Sequence, residues 1–186
     1  MLVVDRRDQK LDRIRKEMGV ETHDADAVSF VALNTPSDAV WLIPAVPVHL
    51  AFQWLLVQLN VGGEARPIPV PAAVDAMVPN PYRMAGGTLY ASFATFLCPD
   101  ACSEPDEMCT HTKKPRPGNL FEVLSHILVP GFQVTVARSL QLAPGVGGYT
   151  AGYIRNVLEG IKTRPGAHLI ATSCRCHGVI DALEWA

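Results

Sequence analysis

The sequence predicts an α/β fold: a mostly parallel, Rossmann-like sheet with helices on both faces and a Pro/Cys-rich loop insertion. Three observations carry that expectation. Short apolar runs alternate with segments whose apolar residues recur at helical spacing, which is the pattern of parallel strands joined by crossover helices. Cys98–Gly118 interrupts the alternation with four prolines and three cysteines. The 186-residue length suits one domain with a sizeable insertion and allows a core without covalent staples.

The elements follow in order. Leu2–Val4 is a short apolar run ending at Asp5. Leu11, Ile14 and Met18 fall at i, i+3 and i+7, so a helix is expected there, with Gly19 placed to end it. Asp38–Ala45 (DAVWLIPA) has the Val, Leu and Ile content of a buried strand. Pro47 suits the first turn of a helix whose apolar face is Val48, Phe52, Leu55, Leu56 and Leu59. These first 60 residues form one half. Residues 61–87 are rich in Pro and Gly and predict sparse regular structure, a connection to a second half over 88–186. In that half, Thr88–Leu97 is expected as a strand and Asn119–Leu128 as an amphipathic helix. Phe132–Arg138 is a strand, joined by a right-handed crossover to the parallel strand Ala167–Ser173. Ala143–Tyr149 reads as a glycine-rich loop, and Thr150 caps a helix running to Lys162 with Ile154, Val157, Leu158 and Ile161 inward. Val179–Trp185 is expected as a final helix.

Composition narrows the function. Sixteen basic and 18 acidic residues give a net charge of -2 with no basic stripe, which argues against a nucleic-acid partner. Ala39–Gly63 lacks Asp, Glu, Lys and Arg, but Pro44, Pro47, His49, Gln53, Gln58 and Asn60 break it, so a buried strand and helix are expected and no membrane span. MLVVDRRDQK is not the pattern of a secretory signal, so a cytoplasmic location is expected.

Five cysteines in a reducing compartment point to metal or redox chemistry rather than to disulfides. Ligands in an open parallel sheet bind beyond the carboxyl ends of the strands. Cys98 follows one expected strand, Cys174, Cys176 and His177 (SCRCHG) follow another, and the glycine loop follows the strand between them. The topology therefore gathers Cys98, Cys102 and Cys109 with Cys174 or Cys176 at one rim, four thiolates being the usual set for an iron–sulfur cluster or zinc. For zinc, Cys109 with His111 and Cys174/Cys176 with His177 offer mixed sulfur and nitrogen ligands. Thiols that are structural or redox-active without metal are the alternative. A cysteine-dependent enzyme with Cys174 or Cys176 as nucleophile and His177 as base is a further one. His49 and His126 are expected to be structural. Gly145, Gly147 and Gly148, ahead of a helix, either hold an anion with help from Arg138 and Arg175 or serve as a tight turn.

LVVD at 2–5, the helix RDQKLDRIRKEMG, the His23-Asp24-Ala25 step and DAVWLIPA together resemble the nucleotide-binding regulatory domain of potassium transporters, the TrkA-N or RCK family. The resemblance implies a nucleotide-sensing module in which an acidic residue after the second strand holds a ribose, with Asp5 in the matching place. That family opens with a strand and a GxGxxG turn. This sequence begins where the second strand would stand, as expected of a late start or of a fold that has lost its first unit. FLCPDAC, QLAPGVGGY and SCRCHG lie outside that domain and resemble an uncharacterised cysteine-containing bacterial family sometimes labelled potassium transporter. No pore-forming element is present, so transport is not implied.

Overall fold

The computed structural model describes residues 1–34 and 36–186. The chain forms two compact units, Met1–Pro36 and Ser37–Ala186. The first contains β1 (Leu2–Asp5), α1 (Asp8–Met18), β2 (Glu21–Asp24) and α2 (Ala27–Leu33), with β1 and β2 parallel. Leu11 is the buried residue of α1, and Gly19, in the left-handed region at φ 63°, ends that helix. Asp26 caps α2 by accepting from the Ser29 amide at 2.9 Å.

The second unit continues with β3 (Trp41–Leu42), α3 (Leu50–Leu59), β4 (Ala65–Ile68), a 3₁₀ turn (Ala72–Met77), β5 (Tyr82–Arg83) and β6 (Leu89–Ser92). Then come α4 (Leu120–Ser125), β7 (Phe132–Arg138), β8 (Leu140–Ala143), β9 (Val146–Thr150), α5 (Ala151–Lys162), β10 (Gly166–Ser173) and β11 (His177–Trp185). The main sheet has the order β5-β6-β11-β10-β7, with β4 also pairing β11. Its pairings are antiparallel except for β7 with β10.

The expected mostly parallel Rossmann-like sheet is therefore overturned. The fold is mixed α/β and largely antiparallel, and three of its antiparallel pairings are made by one segment. Val179–Trp185, expected as a helix, is the larger part of β11. Its Ala, Leu and Glu favour a helix, but its Val, Ile and Trp favour a strand, and propensity is small beside tertiary pairing. A nine-residue strand paired along one edge by β10 and along the other by β6 and then β4 outweighs the helix preference. The parallel pairing of Phe132–Arg138 with Ala167–Ser173 is observed, as is the Thr150 cap, whose hydroxyl accepts from the Tyr153 amide at 3.2 Å. Regular structure within 61–87 exceeds expectation, because β4 and β5 extend the sheet. The strand expected over Asp38–Ala45 shrinks to two residues.

Cross-strand register divides the sheet into two faces. Leu169 and Ala171 of β10 and Ile180 and Ala182 of β11 pack with Leu120 and Leu124 of α4 and with Val70, Val74 and Val78. The opposite side chains of the two strands, including His168, Ile170, Thr172 and Asp181, lie on the other face, where α3 meets both strands.

His168 is fully buried, with Nε2 2.7 Å from the Arg164 carbonyl and Nδ1 without a partner among the described residues. Burial lowers its pKa below the ordinary 6.5. The unfolded chain thus binds a proton that the folded chain refuses. The stability due to neutral His168 is complete above pH 6.5 and is lost as the pH falls below it, by up to about 1.4 kcal/mol per pH unit. Urea unfolding at pH 7.5 and 5.5 is expected to show a smaller loss in His168→Asn than in the natural sequence. Equal losses would remove this assignment.

Candidate functional site

The strand directions explain what gathers at one rim. β6 and β10 both run against β11, so they run the same way as each other and as β7. Ser92, Ser173 and Arg138 accordingly end at the same side of the sheet, where Ser92 pairs His177 and Arg138 pairs Ser173. The three carboxyl ends meet as expected, although by reversal of the central strand rather than by an all-parallel sheet.

Cys174, Arg175 and Cys176 make the tight turn between β10 and β11, closed by the Cys174 amide donating to the His177 carbonyl at 3.0 Å. The 98–118 loop folds over that turn. Within it, the Cys109 amide donates to Lys114 and the Lys113 amide to Cys109, both at 2.9 Å, so Cys109 opens a small hairpin. Glu104 accepts from the Arg175 amide, Arg175 pairs with Asp106, and the Arg175 carbonyl receives the Leu120 amide at 2.8 Å. The loop is thus tied to the turn at both ends.

A cavity of about 890 Å³ opens between them. All five cysteines, His111 and His177 line it, and so do His49 and Thr172. The sulfurs are free thiols. Cys98 Sγ lies 3.4 Å from His177 Nε2, across 79 positions of sequence, and Cys174 Sγ lies 3.9 Å from His177 Nδ1. Cys102 Sγ receives the Glu104 amide at 3.4 Å, and Cys109 Sγ the Thr112 amide at 3.5 Å. Arg116 donates to Cys176 Sγ at 2.7 Å and to the Pro105 carbonyl at 3.1 Å, while its buried Nε has no partner among the described residues. Phe96 stacks on His111 at 4.3 Å.

The electrostatics separate the thiols. Burial raises Cys98, and the neighbouring Cys102 and Cys109 raise it further. Burial also raises Cys176, which Arg116 opposes and Cys98 and Cys109 reinforce. Cys98 and Cys176 thus each feel the charge of the other cysteine segment. Cys109 is lowered by its bonds from Thr112. Cys174 differs: burial and a bond to the Glu104 carboxylate push it up to about 12. His177 is lowered by burial.

Among the described residues, no three His, Cys, Asp or Glu side chains already share one coordinating point. Each thiol turns about a single χ1 between staggered wells. The donor set suits a soft metal, and amide and guanidinium donors to sulfur are the supporting contacts that thiolate ligands need.

Of the remaining candidates, Gly145 and Gly147 also line the cavity, and Asp5, Arg138 and Gly148 do not. Asp5 belongs to the first unit and is engaged by Arg7 at 2.7 Å and Lys10 at 3.3 Å; Arg7 holds its carboxyl well below the usual range. Gly147 and Gly148 lie in β9 rather than in a loop. Gly145, at φ 74°, donates its amide to the Cys102 carbonyl at 2.8 Å, and a Cβ there would stand 1.7 Å from the Asp100 oxygen. Arg138 lies over Phe121 at 4.2 Å. Sequence reasoning missed Arg116, Glu104 and Asp106, charged groups of the loop that reach across to the Cys174–Cys176 turn. Their place inside the proline-rich loop was the available signal. His126 bonds the Glu122 carbonyl at 2.7 Å.

Residues 51–186 match a family model described as "Uncharacterized protein, C-terminal domain". The chain is similar to an uncharacterized protein of Archaeoglobus fulgidus, 29% identical over 152 residues that cover 78% of this chain and 66% of that protein. The match thus spans just under two thirds of the relative's length. No solved structure matches. Neither match is to a TrkA-N or RCK domain. No helix among the described residues is long and apolar enough to cross a membrane.

Proposed function

We propose that this chain, which belongs to the family described as "Uncharacterized protein, C-terminal domain", is a cytoplasmic metal-binding protein whose centre, zinc or an iron–sulfur cluster, is held by Cys98, Cys102, Cys109 and Cys176. One observation carries the proposal: thiols from two distant segments converge on one cavity, with Cys98 and His177 in contact at 3.4 Å. The matched family region contains all five cysteines. Four thiolates suffice for either centre.

Geometry favours Cys176 over Cys174 as the fourth ligand. Arg116 reaches Cys176 and offsets thiolate charge there, whereas Cys174 is turned to Glu104. The Glu104 and Thr112 amides would orient Cys102 and Cys109 and hold electron density on their sulfurs. A bound centre would supply redox capacity if it is a cluster, or a cross-link for the proline-rich loop if it is zinc. Protein purified without air is expected to carry iron with broad absorption near about 400 nm, or one zinc without colour. Anaerobic protein with neither metal and five freely titrating thiols rejects the proposal.

A further inference from the structure

The α3 face of the sheet carries polar side chains where strand alternation calls for apolar ones. Thr172 of β10 stands opposite Val179, and Asp181 of β11 stands opposite Ile170, so Thr172 and Asp181 are diagonal neighbours on one face. His49, immediately before α3, makes no side-chain cap bond; its ring is buried and turned to the sheet, where it spans that diagonal. Nδ1 lies 2.9 Å from Asp181 Oδ2 and Nε2 lies 2.8 Å from Thr172 Oγ1. Asp181 Oδ1 accepts from the Thr88 hydroxyl at 2.7 Å.

The chain of bonds has a direction. In the arrangement of a neutral His49 beside an ionised Asp181, which only accepts, Nδ1 carries the imidazole proton and Nε2 accepts from the Thr172 hydroxyl. Hydroxyl to imidazole to carboxylate is the order in which a base activates a nucleophile and a carboxylate orients the base. The array is also placed to meet a ligand: Thr172 and His49 line the cavity, beside Leu50 and Ala51 from the first turn of α3. First-turn amides lack intrahelical acceptors and favour an oxyanion. Pinning a helix end to a sheet needs no buried imidazole and carboxylate, whose desolvation is costly.

We propose that Thr172, His49 and Asp181 form an acyl-transfer site that takes the acyl group of a carboxylic ester bound in this cavity. Thr172 Oγ1 attacks the ester carbonyl carbon. A C–O bond forms as the hydroxyl proton passes to His49 Nε2. The tetrahedral species expels the alkoxide, which receives that proton from Nε2 and leaves as the alcohol. Water, deprotonated by Nε2, then attacks the acyl-threonine; the carboxylic acid departs and Thr172 regains its proton. Thr172 and His49 are the catalytic residues, and Asp181 positions His49.

A fluorophosphonate probe tests this, because it modifies activated hydroxyls in preference to thiols: fluoride leaves as the P–O bond forms. Peptide mass spectrometry is expected to place the label on Thr172 in the natural sequence and on the serine of Thr172→Ser. Thr172→Val and His49→Gln should label at least about tenfold less. Asp181→Asn should slow labelling by a similar factor and remove the His49 Nδ1–H proton signal from the NMR spectrum. A purely helix-pinning role would lower the thermal midpoints of these variants without any labelling to lose. No label on the natural protein, a label elsewhere, or undiminished labelling of His49→Gln overturns the proposal. Should Thr172→Val not fold, Thr172→Ser decides alone: labelled supports it, unlabelled ends it.

Discussion

Cys98→Ser, Cys102→Ser, Cys109→Ser and Cys176→Ser should each cost at least about 100-fold in metal affinity, whereas Cys174→Ser keeps its metal. The split follows from geometry. All five thiols line the shared cavity, but the Cys174 thiol is committed to Glu104. Stability should follow the metal. A centre present at about 1,000 times its dissociation constant stabilises the folded chain by roughly 4 kcal/mol, which at this chain length corresponds to about 8–16 °C in thermal midpoint. A chelator should lower the natural protein by that amount and leave the four variants unmoved. Anaerobic metal analysis beside thermal unfolding checks both parts. Equal metal retention in Cys176→Ser and Cys174→Ser would sink the proposed ligand set.

Gly145→Ala should destabilise by about 3 kcal/mol, or roughly 6–12 °C, by two additive causes. The residue sits at φ 74°, which an alanine adopts at a cost, and its new Cβ would stand 1.7 Å from the Asp100 carbonyl oxygen. The chain must then move the β8–β9 turn off the cysteine loop, breaking the Gly145 amide bond to Cys102. Metal uptake should fall with it. Gly160→Ala is the contrasting case: it lies inside α5, its nearest foreign atom is the flexible tip of Arg164 at 3.8 Å, and it should stabilise by about 0.5–1 kcal/mol. Denaturant unfolding of the two variants, expected with opposite signs, tests the assignment.

The elements with strong local signals were legible in the sequence. The Thr150 cap and the apolar stripe of α5 specify that helix from within its own residues, and the strand–helix–strand order from Phe132 to Ser173 gives the parallel pairing of β7 and β10. The rim at which the cysteines gather was reached in the sequence by a parallel-sheet argument, whereas the structure forms it by reversal of β11. What the sequence hid was the direction of β11. Its residues carry no decisive local preference, and the strand exists because two edges of partners wait for it. Within the site, the cysteines announce themselves by type and spacing. Arg116 and Glu104 act through loop geometry that no periodicity encodes. His49 was expected to be merely structural. Its partners Thr172 and Asp181 are 123 and 132 positions away, and only the register of β10 with β11 places them together.

The turn between β10 and β11 has a kinetic consequence. Cys174 and His177 are brought together by a hairpin only three residues wide, a closure completed in about 1–10 μs. Cys98 must reach the same spot across 79 positions, at a far larger entropic cost. One wall of the cavity is therefore built early and waits for the other, and docking of the proline-rich loop is the late event, which an ion bound as proposed would accelerate.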